Sequence, residues 1–232
     1  YKKNNYEINF LYESFILKDK KFKLSGDLIE FRPVFEINNY QSNHHFWDNK
    51  QFNNILFWNA SAEISSGLFS LKSQINQAYR PIYFSEYSEP SQFDSSLQVI
   101  QSSLNYNLIK KKYNLLTEIV YQYQGGAQIL QLPDWVGQVK FNYIFGNEKS
   151  NLKLSLGVNA KVFSSYALPR YSSELNQFTI SNERIQPSYF MIDFLAKTQI
   201  KSVTVFLMVT HLNSGLTGFD YFSAFHFPIA DR

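Results

Sequence analysis

The chain has 232 residues, a formal net charge of +3 and no cysteine. The absence of cysteine excludes disulfides and cysteine metal sites. A charge this close to neutral argues neither for nor against nucleic acid. The one basic run, Lys110 to Lys112, is more simply a turn, so we predict no nucleic-acid partner. Aromatic residues make up 18% of the chain, and these are types that strands and membrane interfaces favour. No run reaches the roughly 18 apolar residues of a transmembrane helix.

Alternation of apolar and polar residues with a period of two predicts β-strands along the whole chain. The clearest case is Trp135 to Leu168, where two long arms flank a short turn at residues 146–150 and predict a hairpin. Ten strands are expected, at Tyr6–Leu17, Phe22–Tyr40, Asn54–Ser65, Leu68–Phe84, Leu97–Ile109, Tyr113–Gln124, Trp135–Phe145, Leu152–Val162, Tyr189–Gln199 and Val203–Leu212.

The second predicted strand, Phe22–Tyr40, changes its apolar parity: Phe22, Leu24 and Leu28 share one parity, and Ile29, Phe31, Phe35 and Ile37 share the other. Pro33 lies in this change, and proline cannot donate a hydrogen bond to a neighbouring strand. We therefore expect a bulge or a bend within a strand that continues to Tyr40.

The connections alternate strictly in length. Short turns fall near residues 19, 66, 111, 148 and 201, whereas long loops fall at 41–53, 85–95, 125–134, 169–187 and 215–222. An up-and-down barrel then has every short turn at one rim, as outer-membrane barrels do. The sequence predicts one all-β domain over residues 1–232, an antiparallel up-and-down transmembrane β-barrel with about ten strands visible. A soluble β-sandwich is the alternative.

The alternation also predicts two faces. The apolar parity should contact lipid, through Val139, Phe141, Tyr143, Leu152, Leu154, Leu156, Val158, Ile192 and Phe194. The polar parity should line the lumen, through Glu7, Glu13, Glu63, Lys72, Arg80, Glu118, Lys140, Lys153, Lys161, Asp193 and Lys197. Because these side chains carry both signs, they predict a hydrated passage of little net selectivity or a filled interior.

Catalytic and metal signatures are absent from the sequence. His44 and His45 are adjacent, so on a strand they would point to opposite faces and make a poor metal pair. His211 and Asn213 suggest a hydrogen-bonding pair at the rim, and His226 stands alone. Neither a nucleophile elbow nor a phosphate loop is present. We predict no enzyme, metal or cofactor, although Asp193 with His211 leaves a hydrolase as a distant alternative.

The last third of the chain contains four segments in a characteristic order: LQLPDWVGQVKFNY (130–143), VFSSYALPRYSSELNQFTI (162–180), PSYFMIDFLAKTQIKSVTVFLMVTHLNSGL (187–216) and DYFSAFHFPIADR (220–232). In this order they resemble the putative porin family of Bacteroidota outer membranes, and the likeness covers roughly residues 128–232. Residues 1–127 share only the general character of the family's sequences, without its ordered segments. TonB-dependent receptors have a similar order of segments at the C-terminus and are the second resemblance.

The resemblance implies a pore or transport barrel in the cell outer membrane of a Gram-negative bacterium. We expect it to be porin-like, with small solutes diffusing through it passively. The barrel of a TonB-dependent receptor, or a scaffold within a transport assembly, stays open as an alternative. The expected partners are membrane lipid, lipopolysaccharide, small solutes and other outer-membrane proteins of an assembly. In that family the terminal arginine, here Arg232, leads into one more strand. We therefore expect a partial barrel whose first and tenth strands do not pair.

Overall fold

The computed structural model describes residues 6–17, 19–48, 50–146, 152–200, 202–216, 221–224 and 227–228. Its principal element is one sheet of ten long strands, as the alternation predicts. In chain order they are β1 (Tyr6–Leu17), β2 (Lys20–Phe31), β3 (Ile55–Ser66), β4 (Phe69–Tyr79), β5 (Ser96–Ile109), β6 (Tyr113–Gly126), β7 (Trp135–Phe145), β8 (Leu152–Phe163), β9 (Tyr189–Ile200) and β10 (Val203–Val209).

Each strand pairs with its neighbours in sequence, and every pair is antiparallel. This confirms the predicted up-and-down topology. The short connections, such as residues 67–68 and 110–112, therefore lie at one rim, and the long loops lie at the other. We call these the short-turn rim and the long-loop rim. Most of the predicted turn at 146–150 lies outside the described residues.

The two edges of the sheet are β1 and β10. Among the described residues these strands do not pair with each other, so the sheet is open there, as expected. Strand β10 is the shortest of the ten, with seven residues. Its register with β9 runs from Ile200 opposite Val203 to Phe194 opposite Val209.

Three predicted strands are too long, and the tenth ends at Val209 rather than Leu212. Strand β2 ends at Phe31, and a short helix, α1 (Phe35–Asn38), stands where the strand was expected to continue. Pro33 lacks the N–H that a continuing ladder would need. The fourth strand ends at Tyr79, because Arg80 adopts a φ of 56°, which a strand does not accommodate.

The long loops are more ordered than expected, because they contain two-stranded ladders of their own. These pair Tyr40–Gln41 with Phe46–Trp47, Ile82–Phe84 with Pro90–Gln92, Tyr166–Ala167 with Ile185–Gln186, Arg170–Ser172 with Gln177–Thr179, and Phe222–Ala224 with Phe227–Pro228. His226 lies outside the described residues. Across the described chain, helices long and apolar enough to cross a membrane are absent.

The best-buried apolar side chains lie at the long-loop rim, where strand ends meet loops. Ile55, Leu97, Phe163 and Tyr189 are at strand ends, and Trp47 and Leu168 come from loops. Along the strands themselves, in contrast, large apolar side chains such as Phe10, Ile119 and Leu207 are half exposed or more. The packed core of the described chain is thus a cap at one end of the sheet.

Candidate functional site

The register divides the sheet into two chemically distinct faces. Residues directly opposite each other in an antiparallel pair share a face, and successive residues alternate between faces. The pairs Asp27–Asn59, Asn59–Asn76 and Asn159–Asp193 therefore trace a single face from strand to strand. We call it the polar face. It comprises the odd-numbered residues of β1, β2, β3, β5, β8 and β9 and the even-numbered residues of β4, β6, β7 and β10.

Charge is almost confined to the polar face. The ten strands contain fifteen Asp, Glu, Lys and Arg residues, and thirteen of them lie on this face. The two exceptions, Lys20 and Glu30, lie at or next to the ends of β2. The opposite face, which we call the apolar face, is otherwise free of charge along the described strands.

Polar side chains on the polar face are hydrogen-bonded to one another across neighbouring strands. The amide of Asn159 donates to Asp193 Oδ2 over 2.7 Å, and that of Gln138 donates to Asn159 Oδ1 over 2.7 Å. Further cross-strand bonds join Asn59 to Asp27, Gln74 to Gln101, Ser25 to Ser61 and Ser155 to Asn142. These bonds satisfy polar groups within the sheet and hold them in fixed positions.

Ten of the eleven residues predicted to line a lumen lie on the polar face: Glu7, Glu13, Glu63, Lys72, Glu118, Lys140, Lys153, Lys161, Asp193 and Lys197. The other, Arg80, lies beyond the end of β4 in a loop. All nine residues predicted to face lipid share the apolar face. Their roles at a lumen or in lipid stay predictions.

The sequence reasoning missed three charged members of the polar face. Lys21, Lys23 and Asp27 lie opposite the apolar parity of Phe22, Leu24 and Leu28, which would have identified them. Lys21 Nζ and Lys23 Nζ lie 2.9 and 3.5 Å from the carboxylate of Glu13 on β1. Lysine and glutamate therefore neutralise each other at this part of the face.

The supposed parity change in β2 has a different cause from a bulge. Ile29 and Phe31 stay in register and lie on the polar face, beyond Asp27 and toward the long-loop rim. Phe31 is paired with Ile55, and both line an apolar cavity of about 470 Å³. The polar face becomes apolar here, where it forms one wall of the cavity and the long loops form the rest.

The cavity is built where the long loops meet. Its lining is mostly apolar and comprises Phe31, Pro33, Val34, Ile37, Ile55, Ile82, Tyr83, Phe84, Ile129, Leu130, Pro169, Phe178 and Ile180, with Arg32, Gln131, Gln177 and Thr179. The loops also bond to one another: His45 Nε2 lies 2.7 Å from Glu174 Oε2, and Lys50 Nζ lies 3.0 Å from Glu89 Oε2. Gln131 bonds to the backbone of Ser181. The long-loop rim is therefore a connected cap that turns in over the polar face.

A buried polar cluster joins the end of β10 to β9. Tyr189 Oη and His211 Nε2 are 2.5 Å apart, and both residues are almost fully buried. Asn213 accepts from the Ile192 N–H over 3.0 Å and donates to the Phe190 carbonyl over 2.7 Å. The expected rim pair is thus two separate contacts, each tying the chain after β10 to β9.

Asp193 and His211 do not form a catalytic pair in this arrangement. Asp193 Oδ1 accepts from the backbone N–H of His211 over 3.0 Å, while the imidazole ring bonds to Tyr189. General-base catalysis by such a pair needs the carboxylate to orient the ring instead. Among the described residues, no three His, Cys, Asp or Glu side chains come together as a metal site.

Tyr166, in the loop after β8, contributes a half-buried hydroxyl to the same rim. Burial raises the pKa of its hydroxyl, and a hydrogen bond with Tyr221 raises that pKa further. Since the folded-state pKa lies above the unfolded value of about 10, the neutral phenol stabilises this contact at every pH below that value. The contribution is lost only as the pH rises through the raised pKa.

No curated protein sequence matches this chain. Among solved structures, the fold is similar to that of the FrpB iron transporter from Neisseria meningitidis (F3-3 variant), with a TM-score of 0.59 and 9% sequence identity. The similarity covers 89% of this chain and 34% of the transporter's chain, and at this identity it concerns the fold alone. The sequence profile of the family described as "Putative porin" matches residues 1–232, so the resemblance first drawn from residues 128–232 extends over the whole length. The chain therefore belongs to the putative porin family, and this family together with the barrel-type fold indicates a barrel of the outer membrane.

Proposed function

We propose that the sheet forms part of the wall of one β-barrel domain that lets small solutes diffuse passively across the outer membrane of a Gram-negative bacterium. The observation that carries the proposal is the confinement of thirteen of the fifteen charged strand residues to one face. Lysine on a lipid-facing position costs about 2–4 kcal/mol at the bilayer midplane. A barrel in lipid therefore requires such a partition.

In this arrangement the apolar face contacts membrane lipid and lipopolysaccharide, and the polar face lines the lumen. The exposed apolar side chains of the apolar face then have a partner, since hydrocarbon is their natural solvent. The cross-strand amide network on the polar face supplies fixed hydrogen-bonding groups to a hydrated passage. No catalytic step is assigned to any residue.

Conductance of the full-length protein in planar lipid bilayers tests the passage directly. A pore gives steady steps of current that rise linearly with voltage. If the protein is verified to be assembled in the membrane and no such current flows, passive diffusion is contradicted.

A second candidate is the barrel of a gated transporter or of a transport assembly with other outer-membrane proteins. The cap at the long-loop rim favours it, because the bonded loops turn in over the polar face. Silence of the intact protein, followed by conduction once His45–Glu174 and Lys50–Glu89 are removed by His45→Ala and Lys50→Ala, would support this candidate. Steady conduction by the unaltered protein would exclude it.

A further inference from the structure

We infer that the wall formed by β7, β8 and β9 makes the passage select small anions over cations; the inference rests on the proposed pore. Four lysines lie on the polar face of these three strands: Lys140 on β7, Lys153 and Lys161 on β8, and Lys197 on β9. We call them the lysine stripe. Rings and clusters of lysine are the means by which pores favour anions.

The stripe consists of two pairs placed along the direction of transport. Lys140 is directly opposite Asn159 and thus diagonal to Lys161, while Lys197 is opposite Ser155 and diagonal to Lys153. Diagonal neighbours in an antiparallel pair lie about 7–8 Å apart. Lys153 and Lys161 are eight residues apart on β8, which corresponds to roughly 27 Å of extended strand. An anion leaving one pair therefore meets the second further along the wall.

The four ammonium groups have no salt bridge or hydrogen bond within the described part of the chain. Like charges on diagonal positions repel and so raise each other's free energy, and a passing anion relieves that repulsion. This unpaired state separates them from Lys21 and Lys23, which both contact Glu13.

The acidic groups near the stripe do not cancel it. Asp193 is the one carboxylate on the polar face of β7–β9, so that wall carries four lysines against one aspartate. Asp193 is opposite Asn159 and therefore diagonal to Lys161, so it offsets part of that charge. Its Oδ2 accepts from Asn159 and its Oδ1 from the His211 N–H. Glu118 on β6 is diagonal to Lys140 and offsets part of that charge, while the polar face of β10 offers only Thr204, Phe206 and Met208.

The first six strands have the opposite balance. Their polar face carries five carboxylates and three lysines, namely Glu7, Glu13, Asp27, Glu63 and Glu118 against Lys21, Lys23 and Lys72. Two of these lysines contact Glu13, and Lys72 is directly opposite Glu63. Net positive charge on the polar face is thus concentrated on β7–β9. The polar face as a whole carries both signs, and the two groups of strands differ in their balance.

The test is the reversal potential of the full-length protein in a bilayer under a potassium chloride gradient. The reversal potential of the unaltered protein should be displaced from zero toward the chloride equilibrium potential. The variant Lys140→Gln/Lys153→Gln/Lys161→Gln/Lys197→Gln should shift the reversal toward the potassium equilibrium potential. Glu118→Gln should shift it further toward chloride.

The control Lys110→Gln/Lys112→Gln removes charge at the turn between β5 and β6, outside the strands, and should leave the reversal potential unchanged. If both the unaltered protein and the fourfold variant conduct and their reversal potentials are equal, the role of the lysine stripe in selectivity is overturned, whereas the proposed pore is not. A cation-selective unaltered protein would do the same. Absence of conduction in a verified assembled protein would instead overturn the pore.

Discussion

At the scale of single residues, the buried groups of the long-loop rim set the stability of the cap. Tyr189 and His211 satisfy each other, and the remaining ring nitrogen of His211, Nδ1, is buried without a hydrogen-bond partner. A buried polar atom that loses its partner costs about 1–3 kcal/mol. Loss of the hydrogen bond between the His211 ring and Tyr189 should therefore lower the stability of the fold measurably.

Tyr189→Phe should lower the free energy of unfolding by about 1–3 kcal/mol, because it leaves His211 Nε2 buried and unpaired. Urea unfolding of the refolded protein in detergent micelles measures it. Tyr121→Phe is the control, since Tyr121 lies on the apolar face and is 57% exposed. Equal losses in the two variants would refute the role of the buried pair.

Gly126, the last residue of β6, is required because the backbone there adopts a conformation that favours glycine. Its φ is 75°, and a methyl group built there would overlap the carbonyl oxygen of Ser96. Gly126→Ala should therefore destabilise the fold by about 1 kcal/mol or more. Gly125→Ala, with no contact closer than 3.6 Å, should be nearly neutral by the same unfolding assay. A harmless Gly126→Ala would show that the strand end can shift freely.

At the scale of elements, alternation and connection length were sufficient to predict ten strands, their order and the face of most of the residues singled out. Both signals are local, and they are strongest where one side of a strand is polar. The end of β2 at Phe31 could not be predicted from alternation, because Phe31 is apolar for a tertiary reason: together with Ile55 it lines the cavity formed with the long loops. The cap was equally hidden, since contacts such as His45–Glu174 join residues 129 positions apart.

The centre of β6 offers the sharpest comparison between the two faces. Ile119 lies on the apolar face and Val120 on the polar face, and both are β-branched and adjacent. Ile119→Lys should reduce assembly into membranes strongly, by about 2–4 kcal/mol if the site lies at the midplane. Val120→Lys should assemble nearly as well as the unaltered protein. The yield of folded, protease-resistant protein in outer-membrane vesicles measures both, and equal yields would count against the assignment of the faces.

At the scale of the whole molecule, the protein has three regions that differ in composition. The apolar face is uncharged except at or next to the ends of β2, the polar face carries the charge, and the cap closes in over one end. The polar face is itself uneven: the edge strands expose Leu11 and Phe15 on β1 and Phe206 and Met208 on β10. These side chains lie where the described sheet has no further neighbour.

The central claim is that the polar face meets water and the apolar face meets lipid, and single-cysteine labelling of β8 tests it most directly. The chain contains no cysteine, so each introduced thiol is unique. In membrane-embedded protein, a charged, water-soluble thiol reagent should modify Ser155→Cys and Asn159→Cys rapidly. Leu154→Cys and Val158→Cys should resist it and react with a lipid-dissolved maleimide. The same reactivity at all four positions, or the reverse pattern, would contradict the account.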